Sequence, residues 1–87
     1  MRFTVTWKPE ARRELAEIWL RAGDRGSVSR AANSVDCLLR MSPTTCGESR
    51  SENIRLTVHP PLAVLFEVHE MDMRVDVLSV RARGARS

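Results

Sequence analysis

Residues 54–69, IRLTVHPPLAVLFEVH, carry the strongest strand signals of this chain. Residues 54–59 alternate apolar and polar side chains, which is the pattern of a strand with one buried face. The Pro60-Pro61 pair that follows favours a turn that reverses the chain. The segment from Leu62 to His69 has apolar residues at both odd and even positions, as is typical of a central strand covered on both faces. The stretch therefore predicts two neighbouring strands joined by a tight turn.

Two further strands are predicted outside this stretch. Residues 2–7 alternate in the same way, and residues 70–73 connect the central strand to a last strand from Arg74 to Ala82. In this last strand Leu78 and Val80 have one parity, whereas Val75 and Val77 have the other. A single bulge would resolve the conflict, so we expect one in this strand.

Two amphipathic helices are predicted between the first strand and the loop at residues 42–53. The first begins at Pro9 and ends at Gly23, and the second is capped by Ser27 and ends at Ser42-Pro43. The predicted order is β-α-α-β-β-β. This is an α+β fold, an antiparallel sheet with a helical hairpin packed on one face. In the polar loop, Glu48 and Arg50 are expected to form a local ion pair, and a binding role for Arg50 is the alternative.

Length and composition limit the function classes. The 87 residues, 43% apolar and 29% charged, indicate a single domain over residues 1–87, with residues 84–87 as a frayed tail. There is no apolar run of the roughly 18 residues that a membrane span requires, and the N-terminus lacks a signal-peptide pattern, so we expect a cytoplasmic protein. A chain of this size has little room for a deep cofactor site, so no cofactor is expected.

The basic residues of this chain are almost all arginine. The net charge is +3, and 13 of the 14 basic residues are arginine, which suits nucleic acid or an acidic protein partner. A coding sequence rich in arginine codons explains the same bias. No metal is expected, because Cys46, His59 and His69 have none of the local spacings of a zinc site.

Strand parity predicts which polar side chains share the sheet face opposite the helices, here called the open face. If the alternating apolar residues of each strand face the helices, polar groups from three strands meet on the open face. A solvated face with cross-strand ion pairs is the alternative to a functional site. The expected open-face groups are Arg55, His59, Glu67, His69, Arg81 and Arg83.

The chain from Phe3 to about Arg83 resembles the RelE/ParE superfamily of bacterial toxins. The resemblance lies in the order of elements and in the segments TVTWKPEARRELAEIW, LLRMSP, GESR, IRLTVHPPLAVLFEVHE and RVDVLSVRAR. It implies the toxin of a type II toxin-antitoxin system, a growth inhibitor neutralised by an acidic antitoxin.

The RelE-like branch of this superfamily cleaves messenger RNA on the ribosome. By resemblance, Arg55 matches a basic position on the second strand and Arg83 matches an arginine that contacts the scissile phosphate. His59 completes the expected catalytic set as a general base, with His69 and Glu67 as the alternatives for that role. Arg50, Glu67, His69 and Arg81 are the expected RNA-binding or partner-binding residues. Two departures count against cleavage: an expected arginine is Ala63 here, and the chain has no tyrosine.

The alternatives do not require nuclease chemistry. The ParE-like branch inhibits DNA gyrase, and in that case the helix arginines Arg12, Arg13 and Arg21 could contribute to a protein-binding face. These arginines could equally form ion pairs with Glu14 and Glu17 along the helix. A toxin fold that only binds its antitoxin is the third possibility. The sequence favours mRNA cleavage, because arginines and histidines are expected to converge on one face.

Overall fold

The structure is a computed structural model that describes residues 2–83. It consists of a five-stranded sheet and two helices. The predicted tail at residues 84–87 lies outside the described residues. The elements are β1 (Thr4–Trp7), α1 (Pro9–Arg21), α2 (Arg25–Met41), β2 (Glu48–Ser49), β3 (Ile54–His59), β4 (Leu62–His69) and β5 (Arg74–Ala82). The predicted α+β fold is confirmed, with the two-residue strand β2 added inside the polar loop. Over residues 2–83, neither helix is long and apolar enough to cross a membrane.

The strand order is β1-β5-β4-β3-β2, so the last strand lies beside the first. Strands β2 to β5 pair antiparallel, but β1 pairs parallel to β5, with Thr4 opposite Arg74 and Trp7 opposite Val77. The antiparallel sheet predicted from the sequence is confirmed for β2 to β5, and the parallel pairing of β1 is the one exception. The physical reason is the connection, because the chain between β1 and β5 is long enough to carry a crossover and parallel strands need one.

The bulge that the parity of β5 required is present. Leu65 pairs with Ser79, but the next residue, Phe66, pairs with Val77, so Leu78 is the extra residue. The shift puts Val75, Val77 and Val80 in the core, opposite Val68, Phe66 and Val64.

The core lies between α2 and the centre of the sheet. Helix α2 buries four apolar residues at helical spacing, whereas α1 fully buries only Ala11. Phe66 on β4 is the largest fully buried side chain. The fully buried or nearly buried apolar residues of the main core are Ala11, Val28, Ala31, Val35, Leu39, Leu62, Val64, Phe66, Val68, Val75, Val77 and Val80.

The turn between the helices is fixed by side chains. Asp24, and not Ser27 as predicted, caps α2, because the helix begins at Arg25 and the backbone N–H of Ser27 donates to Asp24 Oδ1 at 3.2 Å. The hydroxyl and the N–H of Ser27 both donate to this carboxylate and hold the pKa of Asp24 below its usual range. Arg25 closes α1 by donating to the carbonyls of Trp19 and Leu20, with its guanidinium stacked 4.7 Å from the Trp19 ring.

Candidate functional site

The open face of the sheet carries a different set of side chains from the one predicted. Residues paired directly across antiparallel strands point to the same face. Arg55 pairs with Phe66, and His59 pairs with Leu62, so both belong to the helix side of the sheet. The prediction that Arg55 and His59 share the open face with Glu67 and His69 was wrong.

The apolar residues of β3 take the open face instead. Ile54, Leu56 and Val58 lie opposite Glu67, Leu65 and Ala63, and Val58 is 42% exposed. Arg55 and Thr57 can face inward because each has a hydrogen-bond partner there. Thr57 is only 5% exposed, and its hydroxyl accepts a hydrogen bond from the Cys46 thiol at 3.5 Å.

Arg55 anchors the polar loop. Its Nε donates to the carbonyl of Cys46 at 2.9 Å, and its Nη2 donates to the carbonyl of Gly47 at 3.1 Å. Gly47 has a positive φ of 73°, and a Cβ there would lie 2.2 Å from the carbonyl oxygen of Leu56. The loop thus lies against β3 and forms β2 there. The ion pair expected between Glu48 and Arg50 is present, with 3.3 Å between the charged atoms.

A cluster of charged side chains, here called the β4–β5 cluster, lies on the open face and consists of Glu67, His69 and Asp76. The Nε2 atom of His69 lies 3.2 Å from Asp76 Oδ2 and 3.4 Å from Glu67 Oε1. The Asp76 side chain is only 6% exposed. Arg74 Nε donates to Asp76 Oδ1 at 3.3 Å, and the ammonium group of Lys8 lies 3.9 Å from Oδ2.

Sequence reasoning missed Asp76 as a site residue. The sequence does contain a signal for it, because Asp76 is an acidic residue between Val75 and Val77 in an otherwise apolar part of β5. Its position opposite Glu67 depends on the cross-strand register, which the sequence does not specify locally.

Arg81 lies on the open face, opposite Ala63, but its guanidinium is paired with Glu14 of α1. The other carboxylate oxygen of Glu14 accepts the backbone N–H of Val80 at 2.8 Å. Burial alone would raise the pKa of Glu14, but the hydrogen bonds from Val80 and Arg81 outweigh it, so the pKa is lowered. The alternative in which Glu14 pairs with arginines along the helix is wrong, because the partners of Glu14 come from β5.

Arg83 lies just beyond β5. Its backbone N–H donates to the carbonyl of Pro61 at 2.7 Å, and its side chain is exposed. Arg83 is therefore far along the sheet from the β4–β5 cluster, because β5 runs from Arg74, beside His69, to Ala82, beside Leu62. The predicted catalytic residues therefore do not form one group with the predicted binding residues Glu67 and His69. Arg55 and His59 lie on the helix side of the sheet, and Arg83 lies beyond the far end of β5.

A groove of about 780 Å³ runs between β1, α1 and α2. Its lining includes Trp7, Leu15 and Trp19. Trp7 Nε1 donates to Asp36 Oδ1 at 3.1 Å, which fixes the indole ring. Arg12 at the same groove donates to the carbonyl of Trp7 at 3.0 Å, so it is tied to the end of β1 and is not a simple solvated helix residue.

Comparisons with known proteins identify the fold. No protein-family model matches the sequence, and no curated protein matches it significantly. Solved structures match almost the whole chain. The toxin-antitoxin complex RelBE2 from Mycobacterium tuberculosis has a TM-score of 0.77 at 19% identity, covering 95% of this chain and 100% of that chain.

Two other solved structures, one of a toxin-antitoxin system and one of an isolated toxin, have a similar fold. The chromosomal ParDE toxin-antitoxin system from P. aeruginosa has a TM-score of 0.68 at 16% identity, covering 94% of this chain and 97% of that chain. The isolated E. coli RelE toxin has a TM-score of 0.67 at 15% identity, covering 98% of this chain and 87% of that chain. These matches define a helical hairpin packed on a mostly antiparallel sheet. The chain has the RelE/ParE toxin fold, which confirms at the level of fold the resemblance seen in its sequence.

Proposed function

We propose that this chain is the toxin of a type II toxin-antitoxin pair. The observation that carries the proposal is the match in fold over nearly the full length of both chains, 95% and 100% for the RelBE2 complex. The composition agrees with it, because a chain with a net charge of +3 can be neutralised by an acidic protein partner.

The groove between the helices and β1 is the proposed site for a segment of the antitoxin. Two tryptophans, Trp7 and Trp19, line it, and the Trp19 side chain is partly exposed in the isolated chain. Large aromatic side chains beside an arginine are typical of the residues that dominate protein-protein binding energy. An antitoxin segment with apolar residues and acidic flanks would cover the tryptophans and meet Arg12.

For the cellular target, the geometry favours a protein such as DNA gyrase. The open face is apolar along β3, where Ile54, Leu56 and Val58 lie, and Arg81 is already neutralised by Glu14. Binding RNA would require unpaired cations along this surface. An exposed apolar strand face is better suited to contact with a protein.

Ribosome-dependent mRNA cleavage is the second candidate. It is supported by His69 beside two carboxylates on the open face and by Arg81 on the same face. In this case Arg83 would contact the phosphate, and Arg55 would act through its hold on the polar loop as well as through its charge. His59 would have to act from the helix side of the sheet.

Expression of the full chain in a bacterium without an antitoxin tests both proposals. We expect growth to stop on induction, with gyrase-linked DNA breaks and intact ribosome-bound transcripts. Transcripts cut at defined positions, seen by primer extension without DNA breaks, would replace gyrase by mRNA as the target. Unimpaired growth with a soluble, folded chain present would contradict the toxin proposal itself.

Two variants sharpen the choice of target. Arg83→Ala removes an exposed cation and should leave the fold intact, because the hydrogen bond of Arg83 is made by its backbone. Val58→Ser removes an exposed apolar side chain from the open face. With a gyrase target, Val58→Ser should weaken growth inhibition and Arg83→Ala should not. With mRNA cleavage, the two effects should be reversed.

A further inference from the structure

We propose that the β4–β5 cluster, Glu67, His69 and Asp76, binds a divalent transition-metal ion, with Zn²⁺ as the best fit. The three side chains offer one nitrogen and two oxygen ligands, and these atoms all lie within 4.8 Å of one another. They come from two adjacent strands in the middle of the sheet, which are rigid elements. This site does not depend on the proposed toxin function.

The spacing of the three atoms suits a metal ion. An ion that binds nitrogen and oxygen at about 2.0–2.2 Å in tetrahedral geometry separates its ligand atoms by about 3.3–3.6 Å. His69 Nε2 lies 3.2 Å from Asp76 Oδ2 and 3.4 Å from Glu67 Oε1. Two edges of the expected tetrahedron therefore need almost no change of side-chain position.

The imidazole ring of His69 has an unsatisfied nitrogen that points to a bound cation. Its Nε2 atom is buried and makes no hydrogen bond, although two carboxylate oxygens lie close to it. A buried polar atom without a hydrogen bond is costly, and the two carboxylate oxygens beside it carry negative charge. A cation between the three atoms would satisfy the imidazole nitrogen and both carboxylates at once.

The charges around the cluster support the same inference. Arg74 Nε holds Asp76 Oδ1 at 3.3 Å and so leaves Oδ2 turned toward His69. Such hydrogen bonds from outside the ligand set orient metal-binding carboxylates. Arg74 is itself neutralised on its other side by Asp72, at 3.6 Å. The competing cation is Lys8, 3.9 Å from Oδ2, and its half-exposed side chain can move into solvent when a metal ion arrives.

The ligand set selects the class of metal. Mg²⁺ and Ca²⁺ prefer sites made only of oxygen, and Cu(I) prefers sulfur. One imidazole and two carboxylates suit borderline ions, of which Zn²⁺ binds strongly to such groups. Water fills the remaining position, because Glu67 and His69 are partly exposed. An ion held there would link β4 to β5 directly.

The test is calorimetric titration of Zn²⁺ into the full chain without an affinity tag, with Cys37 and Cys46 replaced by serine so that thiols do not compete. The chain has only two histidines, so each imidazole can be followed by NMR. We expect one ion per chain, with a shift of the His69 ring signals and no shift of the His59 ring signals. His69→Gln should weaken binding at least about tenfold. His59→Gln is the matched control and should leave the affinity unchanged.

Lys8→Gln provides a test in the opposite direction. Removing the competing ammonium group should tighten Zn²⁺ binding roughly fivefold, the factor for one charge at this distance in water. Glu67→Gln gives a second loss of affinity at a partly exposed position, in case changes at buried Asp76 impair folding, and circular dichroism would verify the fold of every variant. The proposal is overturned if Zn²⁺ does not bind in a saturable way, if His69→Gln binds it as tightly as the parent, or if the His59 signals move instead.

Discussion

The contact between Glu14 and β5 should make a large contribution to stability. Beyond Trp7, strand β1 has ended, and the N–H of Val80 finds its partner in the Glu14 carboxylate. A hydrogen bond to a charged group contributes about 1.5–3 kcal/mol, and the ion pair with Arg81, which is 70% exposed, adds about 0.2–1 kcal/mol. Glu14→Ala should therefore lower the free energy of unfolding by about 2–4 kcal/mol.

Urea unfolding at pH 7, followed by tryptophan fluorescence, measures this loss. Glu14→Gln keeps an acceptor for Val80 and should cost only about 1 kcal/mol. Glu17→Ala, on the exposed side of the same helix, is the matched control and should change stability by less than about 0.5 kcal/mol. If Glu14→Ala costs no more than Glu17→Ala, the reasoning is refuted.

The same contact predicts a dependence on pH. Because folding lowers the pKa of Glu14, its contribution is fully present above the ordinary pKa of a glutamate, about 4.5, and is lost as the pH falls through the folded pKa. The difference in stability between the parent chain and Glu14→Gln should therefore shrink in acid. A difference that stays constant from pH 7 to pH 3 would contradict the assigned hydrogen bonds.

Three other substitutions test local structure. Gly47→Ala should lower urea stability by at least about 1–2 kcal/mol, because φ is positive and the new Cβ would lie 2.2 Å from the Leu56 carbonyl oxygen; an unchanged midpoint would argue against the loop path. Asp24→Ala should lower the melting temperature at pH 7, and this difference should disappear in acid because capping lowers the pKa of Asp24; a pH-independent difference would argue against the cap. Arg55→Lys should speed amide hydrogen exchange in the polar loop about tenfold, since lysine cannot hold the Cys46 and Gly47 carbonyls in Arg55's fork geometry; unchanged exchange would show that the fork is dispensable.

Much of the fold was predictable because its signals are local. The alternation of residues 54–59, the proline turn and the continuous apolar run predict β3 and β4 at their observed bounds. The bulge in β5 followed from a parity conflict in one strand. Strand β2 was missed because Glu48 and Ser49 are polar and become a strand only where the loop is held against β3.

The candidate site was less predictable, because alternation shows which residues share a face but not which face is covered. For β3 the prediction is that the apolar side chains face the helices. In the structure these apolar side chains face away from the helices. Thr57 and Arg55 face the helices instead, because they form hydrogen bonds with Cys46 and Gly47 on that side. Those partners belong to the polar loop, whose path depends on the finished fold.

The parallel pairing of β1 with β5 has a consequence for how this molecule is made. Thr4 must find Arg74, a partner 70 positions later in the chain, and closing a loop of that length costs about 4 kcal/mol of entropy. A nascent chain in which β5 has not yet been synthesised cannot form the sheet edge against which α1 packs. The finished surface is therefore acquired only after β5 has been synthesised, so a chain truncated before β5 would not present the groove formed by β1, α1 and α2 in its final shape.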